Sequence, residues 1–303
     1  MKIYNLGSLN IDYVYHVPHF VKPGETISSD RLQIFPGGKG LNQSVALAKA
    51  GADVIHGGLI GQGGGFLKDV LQKAGVQTSY IKEVDMPNGH AMIQVDEHGQ
   101  NSIILFNGAN HHFHTDFIET VLENARKNDP LLLQNEINGL SGIIEIAHKK
   151  QMHIALNPSP FDQKILSLPC DWIDYWLCNE IEGSQLTGKT LPDEILAEFS
   201  RRYPDKTLLL TLGKEGCMLL HHHNRYSHPI FPCKAVDTTA AGDTFTGFFL
   251  GMLSRGKDIE EVLKIASAAS AIAVSRAGAA SSIPDYEEVM NFLKSYQQSG
   301  EDS

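Results

Sequence analysis

Short β-like runs alternate with helix-like runs along most of this 303-residue chain, and that alternation is the strongest constraint on how it can fold. Lys2 to Gly7 reads as a strand, a helix follows Lys39, Asp53 to Gly58 reads as a strand again, and Phe66 to Ala74 as a helix. Leu131 to Gln134, His153 to Leu156, Trp172 to Cys178 and Thr207 to Leu212 continue the strands, with Cys217 to Leu220 and Tyr226 to Phe231 as a hairpin. Such a rhythm predicts an α/β fold of three layers, α/β/α, with a mostly parallel central sheet covered by helices on both faces. After Asp243 the chain reads as helical, through Ile259 to Ser275 and Tyr286 to Tyr296, and the polar stretch from Gln297 to Ser303 is expected to fray.

Two stretches break the rhythm. About 13–35 and 89–106 read as strands with no helix between, and Glu97-His98-Gly99-Gln100 joins two of them as a hairpin turn would. Strands without a covering helix must pack on something else, so they predict a small β-sheet projecting from a single domain that spans 1–303. The net charge of −10 argues against nucleic acid as a partner, which requires basic faces. No run of about 18 apolar residues is present to cross a bilayer, and Met1 to Leu6 reads as a strand instead of a signal peptide, so the protein is expected to be cytoplasmic. Cys170, Cys178, Cys217 and Cys233 lack C-x-x-C spacing and are expected as reduced core thiols.

The chemistry concentrates in Ala235-Val-Asp-Thr-Thr-Ala-Ala-Gly-Asp-Thr-Phe-Thr-Gly247. Phe245, Phe248, Phe249, Met252 and Leu253 recur at helical spacing, so a helix opens near Ala241 and Gly242 with free backbone N–H groups and a positive dipole end. Side chains as small as Ala240, Ala241 and Gly242 let a phosphate approach those amides. Asp243 in that place would repel a resting phosphate, which suggests a base that takes a proton from the group attacking it. The plainer alternative is an Asp in the first turn of a helix. A second tract, Pro36-Gly37-Gly38-Lys39-Gly40-Leu41-Asn42-Gln43, precedes the helix-like run from Val45 to Ala48. Its glycines allow close backbone approach, and Lys39 and Asn42 offer directional donors to a polyhydroxyl ligand; a glycine-rich turn with a solvated lysine is the competing reading.

Together with Gly7-Ser8-Leu9-Asn10-Ile11-Asp12, Pro23-Gly24-Glu25-Thr26, Asn157-Pro158-Ser159-Pro160, Asn179-Glu180-Ile181-Glu182, Thr211 to Gly216 and the tail from Ala268 to Pro284, these tracts resemble the ribokinase-like (PfkB) carbohydrate kinase family. The resemblance spans nearly the whole chain, with the segments in the family's order and at its spacing. It implies transfer of the γ-phosphoryl group of ATP to the primary hydroxyl of a pentose, D-ribose to ribose 5-phosphate first, with deoxyribose, a ketohexose or a nucleoside as alternative acceptors. A non-catalytic sugar-binding protein would be expected to lose the base, and Asp243 is present.

By the same resemblance Asp243 is the base and the amides around Ala240, Ala241 and Gly242 form the anion hole. Asn10, Asp12, Gly38, Lys39, Asn42 and Glu136 hold the sugar beside Asp243. Asn179, Thr211, Gly213, Lys214, Gly216, Gly242 and Ser267 bind the nucleotide. Glu182 reaches Mg²⁺ through water, for which an exposed helix carboxylate is the plain alternative. Asp237, Thr239, Ala273, Arg276, Gly278 and Ser282 match the family's site for an activating K⁺. The small sheet is implied to be a lid over the sugar and the interface of a homodimer. Two departures stand out: Ser267 occupies a place near adenine where the family has a larger polar residue, and the lid carries His90 and Met92 where small or branched residues are usual.

Three other features invite chemistry that their context removes. Gly183 to Thr190 satisfies G-x-x-x-x-G-K-[ST], but Asn179 to Glu182 intervene between the strand and Gly183, and Pro192 follows closely; Gly188 is instead expected as a helix C-terminal glycine and Thr190 as the next N-cap. Gly61-Gln62-Gly63-Gly64-Gly65 has Phe66 where a dinucleotide fingerprint needs its third glycine, so a turn is expected. His221, His222 and His223, followed by Asn224, read as a solvated hairpin tip, and His111, His112 and His114 as a loop-to-helix transition.

Overall fold

In the computed structural model, which describes residues 1–301, the chain begins β1 (Lys2–Leu6), β2 (Asn10–His16), β3 (Arg31–Gly37), α1 (Lys39–Lys49), β4 (Asp53–Gln62), α2 (Gly65–Lys73), β5 (Gln77–Pro87), β6 (Gly89–Val95) and β7 (Asn101–Phe106). It continues α3 (Thr115–Leu122), β8 (Pro130–Gln134), α4 (Leu140–Lys149), β9 (His153–Asn157), β10 (Tyr175–Asn179), α5 (Glu180–Thr187) and α6 (Pro192–Arg202). The last third is β11 (Thr207–Thr211), β12 (Cys217–His221), β13 (Asn224–His228), α7 (Ala241–Ser254), α8 (Ile259–Val274) and α9 (Tyr286–Glu301).

Nine strands form the main sheet in the order β13-β12-β11-β10-β9-β8-β1-β4-β5, parallel throughout except where β12 and β13 turn back. Its central strands are near-continuous apolar runs because both faces are covered. Side chains alternate between two cores: Ile3, Leu132, Ala155, Leu177 and Leu209 pack against α1, α2, α7, α8 and α9. Tyr4, Leu131, Leu133, Trp176 and Leu210 pack on the other face against α3, α4, α5 and α6. The three layers expected from the alternation are therefore present.

A separate four-stranded sheet has the order β3-β2-β6-β7, with β2 and β6 parallel. Its strands begin earlier than the breaks in sequence rhythm suggest, at Asn10, and end later, at Gly37. Only three residues separate β1 from β2, so the second sheet grows directly out of the centre of the first and carries Asn10 and Asp12 with it.

Local differences from the sequence reading have local causes. The hairpin turn is made by His222 and His223, both left-handed at φ 46 and 65, so Asn224 opens β13, and Pro229, with no N–H to donate, lies just beyond its end at His228. His221 is half-buried and shares a 2.8 Å hydrogen bond with the Thr207 hydroxyl. Cys170–Trp172 is a 3-10 turn, with Trp172 stacked on His148 at 4.3 Å, and the strand starts only at Tyr175. Leu191, not Thr190, is the N-cap of α6, with Pro192 at its first position. Gly188 is the left-handed cap of α5 at φ 76, and Gly183 lies inside that helix, which removes the P-loop geometry. Cys233 is exposed while the other three cysteines are buried, and all four are free. The helix expected to end at Tyr296 runs on through Glu301, and positions 302–303 lie outside the described residues. No described helix is long and apolar enough to cross a membrane.

Candidate active site

Asp243 sits in the first turn of α7 and is buried, so it is not a solvated first-turn carboxylate. Its Oδ1 accepts a hydrogen bond from Gln43 Nε2 at 2.8 Å and its Oδ2 accepts one from Asn42 Nδ2 at 3.1 Å. Helix packing delivers those donors. Asp243, Gly247 and Gly251 lie on one face of α7 at helical spacing, and a Cβ on Gly247 would come within 2.3 Å of Ala46 Cβ on α1. The missing side chain lets α1 and α7 approach closely enough to bring residues some 200 positions apart into contact.

Ahead of Asp243 the chain offers an anion site. Thr244 N–H already donates to the Ala240 carbonyl at 2.8 Å and Ala241 N–H to the Thr238 carbonyl at 3.2 Å. The Ala241 amide is therefore engaged, contrary to its expected place in the anion hole. The N–H groups of Gly242 and Asp243 have no acceptor among the described residues, and nothing lies within 4 Å of a Cβ built on Gly242. Two free amides, a positive helix end and open space suit phosphoryl oxygens.

A second group of residues converges from the small sheet. Asp12 is half-buried, and its carboxyl lies so close over Gly37 that a Cβ there would meet it at 2.0 Å. Burial, reinforced by the nearby carboxyls of Glu136 and Asp243, pushes the Asp12 pKa up to about 7. Glu136 is likewise raised, burial outweighing Lys39 and the hydrogen bonds from Ser8 and the Lys39 amide. Its Oε2 accepts from the Ser8 hydroxyl and, at 3.0 Å, from Lys39 N–H. Burial works against the Lys39 ammonium, yet the carboxylates of Asp243, Glu136 and Glu182 outweigh it and hold its pKa above the usual value. Asn10 is buried and its Oδ1 accepts from Asn110 Nδ2 at 2.6 Å, while Gly38, at φ 92, is the N-cap that turns β3 into α1. Asn42 Oδ1 is buried without a partner, an acceptor waiting for a hydroxyl.

His90 and Met92 do not share this face. The β2–β6 register pairs Asp12 with Ala91, Ile11 with His90 and Tyr13 with Met92, and side chains alternate, so His90 and Met92 point to the reverse side with Ile11 and Tyr13. There they line a separate cavity of about 320 Å³. The residue that β6 presents beside Asp12 is Ala91, and His90 and Met92 lie on the face turned away from it.

On the other flank a narrow cavity of about 60 Å³ is lined by Lys39, Asn179, Glu182, Thr211, Gly242 and Asp243, among others. Glu182 is buried, not an exposed helix carboxylate. It forms a capping box with Asn179, whose Oδ1 accepts from Glu182 N–H at 2.8 Å while Glu182 Oε2 accepts from Asn179 N–H at 3.0 Å. The expected nucleotide loop follows β11: Gly213 and Lys214 are exposed in a 3-10 turn, and Gly216, at φ 95, leads into β12. Ser267 is buried on α8, its hydroxyl beside the Cys217 thiol.

The segment before α7 is tied to the end of α8. Asp237 Oδ1 accepts from Thr239 N–H at 2.9 Å and from the Thr239 hydroxyl, and Oδ2 accepts from Gly278 N–H at 3.0 Å. Burial raises the Asp237 pKa, but these hydrogen bonds outweigh it and hold the carboxyl below its ordinary value. Ser282 is buried and donates to the Ala279 carbonyl at 2.8 Å, and Arg276 N–H donates to the Ala273 carbonyl at 3.1 Å. The Arg276 guanidinium, a cation with no acceptor to offer, pairs with Glu288, so any part of Arg276 in a cation site falls to its backbone carbonyl.

Gln43, Asn157, Ser8 and Asn110 contact the site residues directly; the first three stand out in sequence only as parts of the tracts that contain them, and Asn110 belongs to none. No periodicity in the sequence announces contacts made across 100 residues or more.

The chain was compared with known proteins. The model of the pfkB family carbohydrate kinases matches residues 2–286. Ribokinase of Haemophilus influenzae is 38% identical over 301 residues, covering 95% of this chain and 97% of that one. Ribokinase of Bacillus subtilis is 35% identical over 293 residues, covering 95% and 98%. Among solved structures, Arabidopsis thaliana ribokinase complexed with ribose and ATP superposes with a TM-score of 0.85 at 31% identity, covering 97% of this chain and 98% of that one.

Proposed function

The chain belongs to the pfkB family of carbohydrate kinases, and from that membership and the site geometry we propose that it phosphorylates D-ribose on its primary hydroxyl with ATP. The observation that carries the reading is a buried carboxylate, Asp243, held at both oxygens beside two unengaged amides at a helix start. Asp243 accepts the proton of the attacking hydroxyl, and the N–H groups of Gly242 and Asp243 receive the phosphoryl oxygens as charge develops. Asn10, Asp12, Asn42 and Glu136 bind the sugar hydroxyls, with Asn42 Oδ1 the acceptor that lacks any partner without them. Lys39, drawn by three carboxylates, neutralises charge between sugar and phosphates. Asn179 and Thr211 line the nucleotide side.

A Mg²⁺ would arrive with ATP and keep most of its waters, with the buried Glu182 reached through water. When bound, that ion supplies positive charge to the phosphates. Four free cysteines and the use of ATP accord with a cytoplasmic setting. ADP release measured across ribose, deoxyribose, arabinose, fructose and adenosine tests the acceptor. A hexose or nucleoside with kcat/KM at least about tenfold above that of ribose would overturn it.

The position of Asp12 predicts a pH dependence. With its pKa near 7 the free protein carries Asp12 protonated below that pH, and only the carboxylate accepts hydrogen bonds at both oxygens. The kcat/KM for sugar is expected to rise through about pH 7, and Asp12→Asn should abolish that limb. The stability sign is opposite: a carboxyl raised on folding favours the folded state at low pH, and that contribution is lost between the ordinary value of 3.8 and about 7. A flat kcat/KM profile from pH 6 to 8 would remove the assignment.

The Asp237 loop supports a monovalent cation. In this reading Asp237, Thr239, Ala273, Arg276, Gly278 and Ser282 would offer it carboxylate, hydroxyl and backbone oxygens, the hydrogen bonds of Asp237 to Thr239 and Gly278 being what supports the site, and a bound K⁺ would order the segment that sets the amides of Gly242 and Asp243. Turnover is expected to be higher in K⁺ than in Na⁺. Equal rates in K⁺, in Na⁺ and with neither would sink this part.

The face of the small sheet turned away from Asp12 exposes Leu32, Ile34, Met92, Ile104 and Phe106, an apolar patch on a sheet that no helix covers. We read it as a lid that pairs with a second copy. Light scattering should give the mass of a dimer, and a monomer at micromolar concentration would count against it.

A further inference from the structure

We propose that Gln43 is a positioning residue for the base, and that Asn5, Gln134 and Asn157 determine which end of its amide Asp243 meets; the proposal rests on reading Asp243 as the base. Gln43 is fully buried on α1. Its Nε2 donates to Asp243 Oδ1 at 2.8 Å and to Asn157 Oδ1 at 3.3 Å, and its Oε1 accepts from Gln134 Nε2 at 2.7 Å. A primary amide fits such a place either way round, but only one way gives the carboxylate a donor; the other sets oxygen against oxygen.

Backbone carbonyls, which can only accept, decide the orientation. Asn5 Nδ2 donates to the Gly40 carbonyl at 2.9 Å and to the Ser44 hydroxyl at 2.8 Å, so Asn5 Oδ1 faces Gln134 and accepts from its Nε2 at 3.0 Å. The second proton on Gln134 Nε2 then goes to Gln43 Oε1. From the opposite side Asn157 Nδ2 donates to the Leu177 carbonyl at 2.6 Å, leaving Asn157 Oδ1 for Gln43 Nε2. Both protons of Gln43 Nε2 are thereby assigned, one to Asn157 and one to Asp243. The network leaves Gln134 Oε1 buried and unpartnered, so it is not the arrangement that satisfies every polar atom. What it does achieve is a single amide polarity at the base.

With Asn42 Nδ2 on Oδ2 and Gln43 Nε2 on Oδ1, the carboxylate cannot rotate about its own axis without losing a donor. Its remaining lone pairs keep one direction, toward the attacking hydroxyl. Gln43 has no place in the sugar or nucleotide contacts, so its effect should fall on turnover and not on binding.

The test is steady-state kinetics with D-ribose and ATP, with thermal melting as the check on folding, for Gln43→Leu, Gln134→Leu and the double variant. Gln43→Leu is expected to lower kcat about 10- to 100-fold with both KM values within about threefold of wild type. Gln134→Leu, which frees the Gln43 amide to turn, should lose kcat by a smaller factor, and the double variant should be no slower than Gln43→Leu alone. Gln43→Glu keeps the volume but replaces the donor with an acceptor, and serves if the leucine variants do not fold; it should be slower than Gln43→Leu. A folded Gln43 variant with more than about half the wild-type kcat, a loss carried in KM, or losses that multiply in the double variant would overturn the proposal. Asp243→Asn run alongside separates the two readings: if it stays active the base assignment fails, and if it is inactive while the Gln43 variants are normal, only the amide network fails.

Discussion

Asp243→Asn is expected to lower kcat by about 10²- to 10⁴-fold while the KM values for sugar and ATP change little. The substitution keeps shape and volume and removes only the capacity to take a proton from the attacking hydroxyl. Its side effect can be read from the same contacts. The carboxylate accepts from Gln43 Nε2 on one oxygen and from Asn42 Nδ2 on the other, whereas an asparagine has one oxygen and one NH₂. One of the two donors must then face another donor, so a modest fall in Tm should accompany the loss of turnover. The measurement is kcat from ADP release alongside sugar binding by calorimetry. A variant that keeps more than about a tenth of the wild-type rate with unchanged sugar affinity would show that Asp243 is not the base.

Gly40→Ala should strongly weaken sugar binding. A Cβ on Gly40 would lie 2.3 Å from Ser8 N and 2.5 Å from Gly7 C, backbone atoms of the crossing from β1 to β2 that cannot swing aside as a side chain can. The first turn of α1 must move instead. That turn is bonded to the crossing through Gly40 N–H to the Ser8 hydroxyl at 3.1 Å and Leu41 N–H to the Ser8 carbonyl at 3.0 Å. Ser8 and Lys39 N–H in turn hold Glu136. Displacement therefore separates Glu136, Lys39 and Asn42 together, and the sugar KM should rise by about tenfold or more. Overpacking against backbone should also destabilise by about 3 kcal/mol, enough to lower Tm by several degrees. Gly142→Ala, on α4 with nothing within 4 Å of the added Cβ, is the control and should be neutral or slightly stabilising. If Gly40→Ala melts and binds sugar as the control does, the seating of α1 on the β1–β2 crossing is not what organises the site.

The alternation of strand and helix was legible because it is a property of neighbours. Whether a run such as Leu131 to Gln134 is buried on both faces depends on residues within a few positions of each other, and the local pattern carries it. The helix start before Asp243 and the left-handed cap at Gly188 were legible for the same reason, since backbone N–H groups and positive φ angles are decided within one turn. The composition of two tracts also marked Lys39, Asn42 and Asp243 as polar groups in unusual company, and the family resemblance added Asp12 and Glu136. What neither could do was orient them. His90 and Met92 belong to the same strand as Ala91, and only the pairing register with β2 shows which of the three shares a face with Asp12.

The sequence by itself thus determined the three-layer fold and the helix that opens at Ala241, because both follow from short-range periodicity and backbone chemistry, while its resemblance to a family supplied the inventory of groups expected to bind a sugar. Tertiary structure alone decided that the Asp12 pKa is pushed up to about 7 and that Gln43 presents its nitrogen to Asp243. The physical reason is common to both: the partner of a long-range hydrogen bond and a carboxyl's surroundings are set by atoms brought together through packing. Asp243 meets Gln43 across 200 residues of chain because two helices close over a position that carries no side chain, Gly247.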